Sequence, residues 1–134
     1  MQNIDAIIFD LDGTLWDSTE TICKVYNGVL ERNYPQYYHK LSLEEVQGHM
    51  GKTMLDIAKA IMPQASDEMC MDYMDKCGEE ECAYLSVHNG NVFEGVIETL
   101  TELSKEYKLY IVSNCQAGYI ESFFRCKQLQ RFIC

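Results

Sequence analysis

One short segment near the start of the chain limits the fold more than any other feature. An apolar run, Ala6-Ile7-Ile8-Phe9, ends at two aspartates one residue apart, Asp10 and Asp12, which Gly13 and Thr14 follow. The run predicts a buried strand, and open α/β sheets bind ligands at the carboxyl ends of their strands. Alternate side chains of a strand point the same way, so the two carboxylates converge if the strand continues through Asp12. Because like charges repel, such a pair favours a divalent cation.

Other interpretations of this segment are an ordinary polar Asp-Gly turn after a strand, a calcium loop, and the nucleophile motif of an aspartate-based phosphotransferase. The calcium loop fails on spacing. With Asp10 at its first position, the required glycine is Leu15 and the required glutamate is Thr21. The third interpretation is specific, because Phe9-Asp10-Leu11-Asp12-Gly13-Thr14-Leu15 resembles the first motif of the haloacid dehalogenase superfamily.

Composition narrows the class of protein. With 134 residues, 47% of them hydrophobic, the chain has the size of about one globular domain. Its net charge of −10 argues against nucleic acid and anionic membranes as partners. The seven cysteines include no C-x-x-C pair, and no segment has the pattern of a secretory signal or a membrane span. We therefore expect a cytoplasmic protein with reduced thiols.

The rest of the chain combines helical and strand patterns. Helices are predicted from a cap at Asp17 to about Asn33, from a capping box at Ser42-Leu43-Glu44-Glu45, over Leu55 to Met62, from near Ser66, after Gly95, and over about Ala117 to Phe124. The apolar run Leu109 to Val112 predicts a second buried, parallel strand. Together these patterns predict an α/β fold: a partial Rossmann-like parallel-sheet core, formed by residues 1–15 and 88–134, with an inserted α-helical cap over residues 16–87.

The helix that starts near Ser66 has two predicted faces. Its inward residues recur at helical spacing: Cys70, Tyr73, Met74 and Cys77. Its acidic residues are most simply a solvated face, with metal binding as the alternative: Asp67, Glu68, Asp72, Asp75, Glu79, Glu80 and Glu81.

Polar residues also end the second predicted strand. Ser113 and Asn114 follow its apolar run, and they resemble the second motif of the same superfamily. A helix N-cap explains a serine at this point equally well. The approach to it, Asn91 to Val96, then a helix and a strand, is similar to the usual arrangement before that motif. We therefore expect both residues to bind phosphate.

The resemblance implies a set of roles. Asp10 is expected to be the nucleophile that forms an aspartyl-phosphate, and Asp12 the general acid and base. Mg²⁺ is expected on the Asp10 carboxylate and the Asp12 backbone carbonyl. Thr14 joins Ser113 and Asn114 as a phosphate-binding residue and fixes the loop. The substrate is expected to be a small phosphorylated metabolite.

The inserted helices resemble the small cap of the branch that contains phosphoglycolate phosphatase and β-phosphoglucomutase. In that branch the cap closes over the active site and excludes water. Gly51 and Lys52, in a glycine-bracketed loop over residues 48–52, are the expected substrate contacts. A solvated lysine is the alternative for Lys52.

The chain departs from the superfamily pattern after Asn114. A further lysine motif and an acidic pair are missing: Lys127 follows Ser113 too soon, and Glu121 is the only acidic residue after Asn114. We therefore expect a truncated chain with impaired or no activity, and an exposed sheet edge through which it can self-associate. The alternatives are a non-catalytic interaction module and a phosphosugar mutase of the same branch.

Overall fold

The structure is a computed structural model that describes residues 3–88, 91–115 and 118–134, with only the backbone at 126–128. Its strands are β1 (Ala6–Phe9), β2 (Trp16–Asp17), β3 (Asn91–Val92) and β4 (Lys108–Ile111). Its α-helices are α1 (Thr19–Asn33), α2 (Leu43–His49), α3 (Met54–Ile61), α4 (Asp67–His88), α5 (Val96–Leu103) and α6 (Tyr119–Arg125). Two 3₁₀ helices cover Pro35–Tyr37 and Cys126–Arg131.

The strands form two small sheets. β1 and β4 pair in parallel, with Ala6 opposite Lys108 and Phe9 opposite Ile111. β2 and β3 pair antiparallel, with Trp16 opposite Val92. A parallel pair with intervening helices confirms the predicted α/β class. Because the two strands run in the same direction and their last residues are paired, the chain leaves β1 and β4 at the same end of the sheet.

The prediction that both strands are fully buried is wrong. Leu109 is buried, but Ile8 is 66% exposed, Val112 is 63% exposed and Tyr110 is 37% exposed. Successive side chains of a strand point to opposite faces, and the described residues cover only one face of this sheet. An apolar run therefore did not distinguish a strand covered on both faces from one covered on a single face. β4 also ends at Ile111, one residue earlier than predicted.

Helix α1 follows its predicted course with a different start. Its apolar face is buried as predicted: Ile22, Val25, Tyr26, Val29 and Leu30. The N-cap residue is Ser18, not Asp17. The Asp17 carboxylate instead accepts hydrogen bonds from the backbone N–H (3.0 Å) and hydroxyl (2.5 Å) of Thr19, the first helical residue. That pairing places the first turn two residues beyond Asp17.

The predicted capping box at α2 is confirmed. The Ser42 side chain accepts from the Glu45 backbone N–H at 3.2 Å, and the Glu45 carboxylate accepts from the Ser42 N–H at 2.8 Å. Gly48 and His49 belong to this helix rather than to the predicted loop. Thr53 caps α3, which ends at Ile61, shortly before Pro63.

Helix α4 separates its faces as predicted except at one residue. The four predicted inward side chains are buried, and the acidic residues from Asp67 to Glu80 are exposed. Glu81 is only 3% exposed, so its assignment to the solvated face is wrong. It lies one helical turn beyond Cys77, on the buried face of the helix.

Helices α1 to α4 and α6 bury residues in one apolar core. α1 and α3 pack on α4, α2 packs on α1, and the later part of α4 packs on α6. Trp16 makes edge-to-face contacts with Tyr119 and Phe123, with ring centroids 5.7 and 5.3 Å apart. These contacts join the segment after β1 to α6. Among the described residues, no helix is both long and apolar enough to cross a membrane. The division into core and cap stays a prediction.

Candidate active site

One cleft holds most of the predicted site residues. Asp10, Asp12, Ser113 and Asn114 line it, and Gly51 closes one side. Asp10 and Ser113 come together because β1 and β4 are parallel and end side by side. The cleft has a volume of about 230 Å³, several times the share of one water in the liquid, about 30 Å³.

A turn, not strand alternation, brings Asp12 to this cleft. β1 ends at Phe9, so the expectation that the strand continues through Asp12 is wrong. The Leu11 carbonyl accepts hydrogen bonds from the N–H groups of Thr14 and Leu15 at 3.2 and 2.9 Å. The Gly13 N–H donates to the Trp16 carbonyl at 2.9 Å. Gly13 has φ of +75°, which L side chains rarely adopt. These bonds fold the chain back on itself directly after Asp12.

The side chain of Asp12 is held through one oxygen. Its Oδ1 lies 2.6 Å from the Tyr119 hydroxyl, 3.1 Å from Trp16 Nε1 and 3.1 Å from Ser18 Oγ. The hydroxyls of Ser18 and Tyr119 are themselves 2.6 Å apart. Asp12 thus contacts β2, the residue before α1, and α6.

The pKa of Asp12 is raised above its usual value. Burial is the largest cause and disfavours the charged form; the bonds from Tyr119, Trp16 and Ser18 act against it, and the nearby Asp10 carboxylate adds to it. The pKa of Tyr119 is raised as well, by burial and then by the Asp12 charge. A raised pKa on Asp12 increases the protonated fraction that a general acid needs.

The segment after α2 borders the cleft. Asn114 Nδ2 donates to the Gly51 carbonyl at 3.3 Å. A second, narrower space of about 30 Å³ adjoins it, lined by residues that include Asp12, His49, Lys52 and Glu81. Lys52 Nζ lies 3.3 Å from His49 Nδ1. Burial, and then the Lys52 charge, lower the pKa of His49.

Thr14 is not brought to the cleft. It lies with Phe9, Glu94 and Gly95 around a different hollow. Its place in the Leu11 turn agrees with the predicted role in fixing the loop, whereas phosphate binding by Thr14 stays a prediction.

The described residues of the cleft supply few oxygen ligands for Mg²⁺. Asp10 is exposed and shares the cleft with Asp12, and carboxylate and carbonyl oxygens are ligands that Mg²⁺ accepts. Within the described ranges, no group of three or more His, Cys, Asp or Glu residues could hold a metal. Water and substrate oxygens would therefore complete the coordination, as is common for Mg²⁺.

Four residues of this region were not among the sequence-predicted site residues. Trp16, Ser18 and Tyr119 contact Asp12, and Glu81 lines the narrower space. Trp16 and Ser18 follow Asp12 closely in sequence, which was a usable signal. Tyr119 is 107 positions away, and no pattern connects it to Asp12.

The fold and the cleft define an α/β protein with paired aspartates at the carboxyl end of a parallel sheet. The chain belongs to the haloacid dehalogenase-like hydrolase family, whose pattern matches residues 7–133.

Individual relatives agree with this assignment. Pyrophosphatase PpaX of Anoxybacillus flavithermus is 30% identical over 137 residues, covering 92% of this chain and 59% of that protein. PpaX of Listeria welshimeri is 30% identical over 133 residues, covering 96% and 57%. The chain thus spans just over half the length of these curated relatives.

Solved structures share the fold. A haloacid dehalogenase-like hydrolase from Bacteroides fragilis has a TM-score of 0.83 at 23% identity, covering 98% of this chain and 61% of that one. A protein described as a predicted phosphoglycolate phosphatase, from Haemophilus somnus, has a TM-score of 0.82 at 18% identity, covering 99% and 61%.

Proposed function

We propose that the chain carries the nucleophile and the acid/base residue of a Mg²⁺-dependent phosphatase for small phosphorylated metabolites. The observation that carries the proposal is the convergence of Asp10, Asp12, Ser113 and Asn114 on one cleft. Family membership and the pyrophosphatase relatives support it. The five cysteines 23, 70, 77, 115 and 134 are thiols, which suits the proposed cytoplasmic location.

The proposed reaction has two steps. An Asp10 carboxylate oxygen attacks phosphorus, the bond to the leaving oxygen breaks, and Asp12 gives that oxygen its proton. Water then attacks phosphorus of the aspartyl-phosphate while Asp12 takes its proton. Phosphate leaves and the Asp10 carboxylate is restored. The raised pKa of Asp12 suits the first of these proton transfers.

Binding groups surround the reacting phosphate. Ser113 and Asn114 are proposed to donate hydrogen bonds to its oxygens, which matters because phosphoryl transfer depends mainly on positioning and charge stabilisation. The Asp10 carboxylate and the Asp12 backbone carbonyl are the proposed Mg²⁺ ligands, and the bound ion would offset the negative charge of phosphate. A net charge of −10 makes that compensation necessary.

The proposed cap, residues 16–87, restricts the leaving group. Gly51 and Lys52 are its proposed substrate contacts, and the space beside them is only about 30 Å³. We propose that a bulky leaving group enters this space when the cap moves away from the proposed core, residues 1–15 and 88–134. Breaking the Asn114–Gly51 hydrogen bond would be part of that motion.

A non-catalytic interaction module is the second candidate. The absence of a third acidic ligand among the described residues favours it. Such a module would keep the cleft without forming a phosphoenzyme.

Fluoroberyllate, a phosphate mimic that binds aspartate nucleophiles, separates the two candidates. We expect the chain with Mg²⁺ to give bound ¹⁹F resonances that vanish with EDTA and in Asp10→Asn. Asp5→Asn changes an exposed aspartate at the opposite end of β1 and should retain them. Binding that survives Asp10→Asn, or no binding at all, would contradict the phosphatase and favour the module.

A further inference from the structure

Tyr119 makes the shortest contact to the proposed acid/base residue. Its side chain is 2% exposed, and its hydroxyl lies 2.6 Å from Asp12 Oδ1. The ring is held at its edge by Trp16 at 5.7 Å. The hydroxyl is also 2.6 Å from Ser18 Oγ, which is 3% exposed. Both hydroxyls are thus withdrawn from solvent.

The distances indicate which hydroxyl donates to Asp12. Ser18 and Tyr119 have one hydroxyl hydrogen each, but three contacts join them to each other and to Asp12. Tyr119 is 2.6 Å from Asp12 and Ser18 is 3.1 Å away. Short O–H···O⁻ distances mark the stronger, charge-assisted bond. Tyr119 is therefore the closer donor to Asp12, with Ser18 Oγ donating to the same oxygen from 3.1 Å.

We propose that Tyr119 is a positioning residue for Asp12, tying up Oδ1 so that Oδ2 is the oxygen that exchanges a proton with the substrate. The inference rests on the proposed function, and nothing in the first motif points to it. All the hydrogen bonds recorded for the Asp12 side chain within the described residues end on Oδ1. Oδ2 accepts none of these three hydrogen bonds, and Asp12 lines the cleft.

Tyr119 differs from the other two partners in where it comes from. Trp16 and Ser18 lie within six positions of Asp12 in the sequence. Tyr119 begins α6, which follows the segment that carries Ser113 and Asn114. Its hydrogen bond therefore connects Asp12 to helix α6, which follows the segment with the proposed phosphate-binding residues. Misplacement of a reacting group by about 1 Å can cost on the order of 100-fold in rate.

The test replaces Tyr119 by Phe, which keeps the ring and removes the hydroxyl. Ser122→Ala is the matched control, because it removes a buried hydroxyl from the same helix that donates to the Gly118 carbonyl at 2.9 Å rather than to Asp12. The chain has one tryptophan, so its indole N–H gives one resonance in a ¹H–¹⁵N spectrum. Trp16 donates to the same Oδ1 and therefore reports the position of Asp12.

We expect Tyr119→Phe to shift the indole resonance upfield in the same direction as Asp12→Ala, with Ser122→Ala unchanged. An indole proton that moves in Asp12→Ala but not in Tyr119→Phe would overturn the proposal. An indole proton with the same chemical shift in the wild type, Asp12→Ala and Tyr119→Phe would also overturn it. This readout needs no catalytic turnover.

Kinetics test the catalytic consequence. We expect Tyr119→Phe to lower kcat/KM about 10-fold for an alkyl phosphate, which needs a general acid, and under about 2-fold for p-nitrophenyl phosphate, which does not. Equal losses on both substrates would mean a merely structural role and overturn the proposal. If the wild-type chain shows no turnover, as the missing lysine and acidic motifs lead us to expect, the indole shift alone decides the proposal.

Discussion

Asp12 is a half-buried residue that carries a charge when ionised. Burial raises its pKa, and the three hydrogen-bond donors reduce the rise without cancelling it. For an acid whose pKa is higher in the folded state than in the unfolded one, the stabilising contribution is fully present below the unfolded pKa. That contribution is lost as the pH rises through the folded pKa. Ionised Asp12 therefore costs stability at neutral pH.

Asp12→Asn should stabilise the fold at pH 7.5. It retains an oxygen acceptor and removes the half-buried charge, and we expect a gain on the order of 1 kcal/mol in the free energy of unfolding. The gain should shrink as the pH approaches 4, because the raised pKa leaves a larger fraction of wild-type Asp12 protonated there. Urea unfolding at both pH values measures it. An equal gain at both, or one matched by Asp5→Asn, would contradict the argument.

The sequence allowed part of this site to be predicted. Asp10 and Asp12 were identifiable because a strand pattern ends at them, and Ser113 because a second strand pattern ends there. Their convergence follows from the parallel pairing of β1 and β4. The Tyr119 contact could not be predicted, since it depends on how α6 packs against Trp16. Thr14 is the opposite case: it belongs to the sequence motif, but the structure places it at a different hollow from the cleft.

At the scale of single elements, local chemistry was the most reliable guide. The capping box of α2 involves two residues three positions apart, so its geometry needs no distant partner. The assignment of Asp17 as a cap missed by one residue: Ser18 holds the N-cap position without a side-chain cap bond, and Asp17 accepts from the Thr19 N–H. The prediction that both strands are fully buried was wrong for a different reason, since burial of a strand depends on what covers each face of the sheet.

Loss of the α2 cap should destabilise the chain measurably. We expect Ser42→Ala to cost about 1 kcal/mol, because the Glu45 N–H loses its side-chain acceptor. Ser104→Ala, at an exposed helix C-terminus where Ser104 donates to the Thr101 carbonyl, is the control and should cost little. Thermal unfolding by circular dichroism compares them. A smaller loss for Ser42→Ala than for Ser104→Ala would speak against the capping box.

At the scale of the whole molecule, the described residues leave one apolar face of the parallel sheet uncovered. Ile8, Tyr110 and Val112 lie on this face, and the nearby Ile4 is also 62% exposed. Contiguous apolar surface of this kind favours association. The predicted self-association is therefore proposed to use this face as well as the open edges of the two-stranded sheet.

The double change Ile8→Thr and Val112→Thr should reduce concentration-dependent association. Threonine keeps the β-branched shape that suits a strand and replaces exposed methyl groups by hydroxyls. Sedimentation velocity over a range of protein concentrations measures the change. Val87→Thr, at a 73% exposed position near the end of α4, is the control. Association that persists unchanged in the double variant would exclude this face.

The sequence by itself determined the α/β class, the apolar faces of α1 and α4, the capping box and the positions of the two strand-end motifs. All of these depend on residue types and on spacing within one element. Only the tertiary structure decided that Glu81 is buried, that one sheet face is uncovered and that Tyr119 reaches Asp12. These features depend on which surfaces meet, and periodicity within an element carries no information about the partner across a contact.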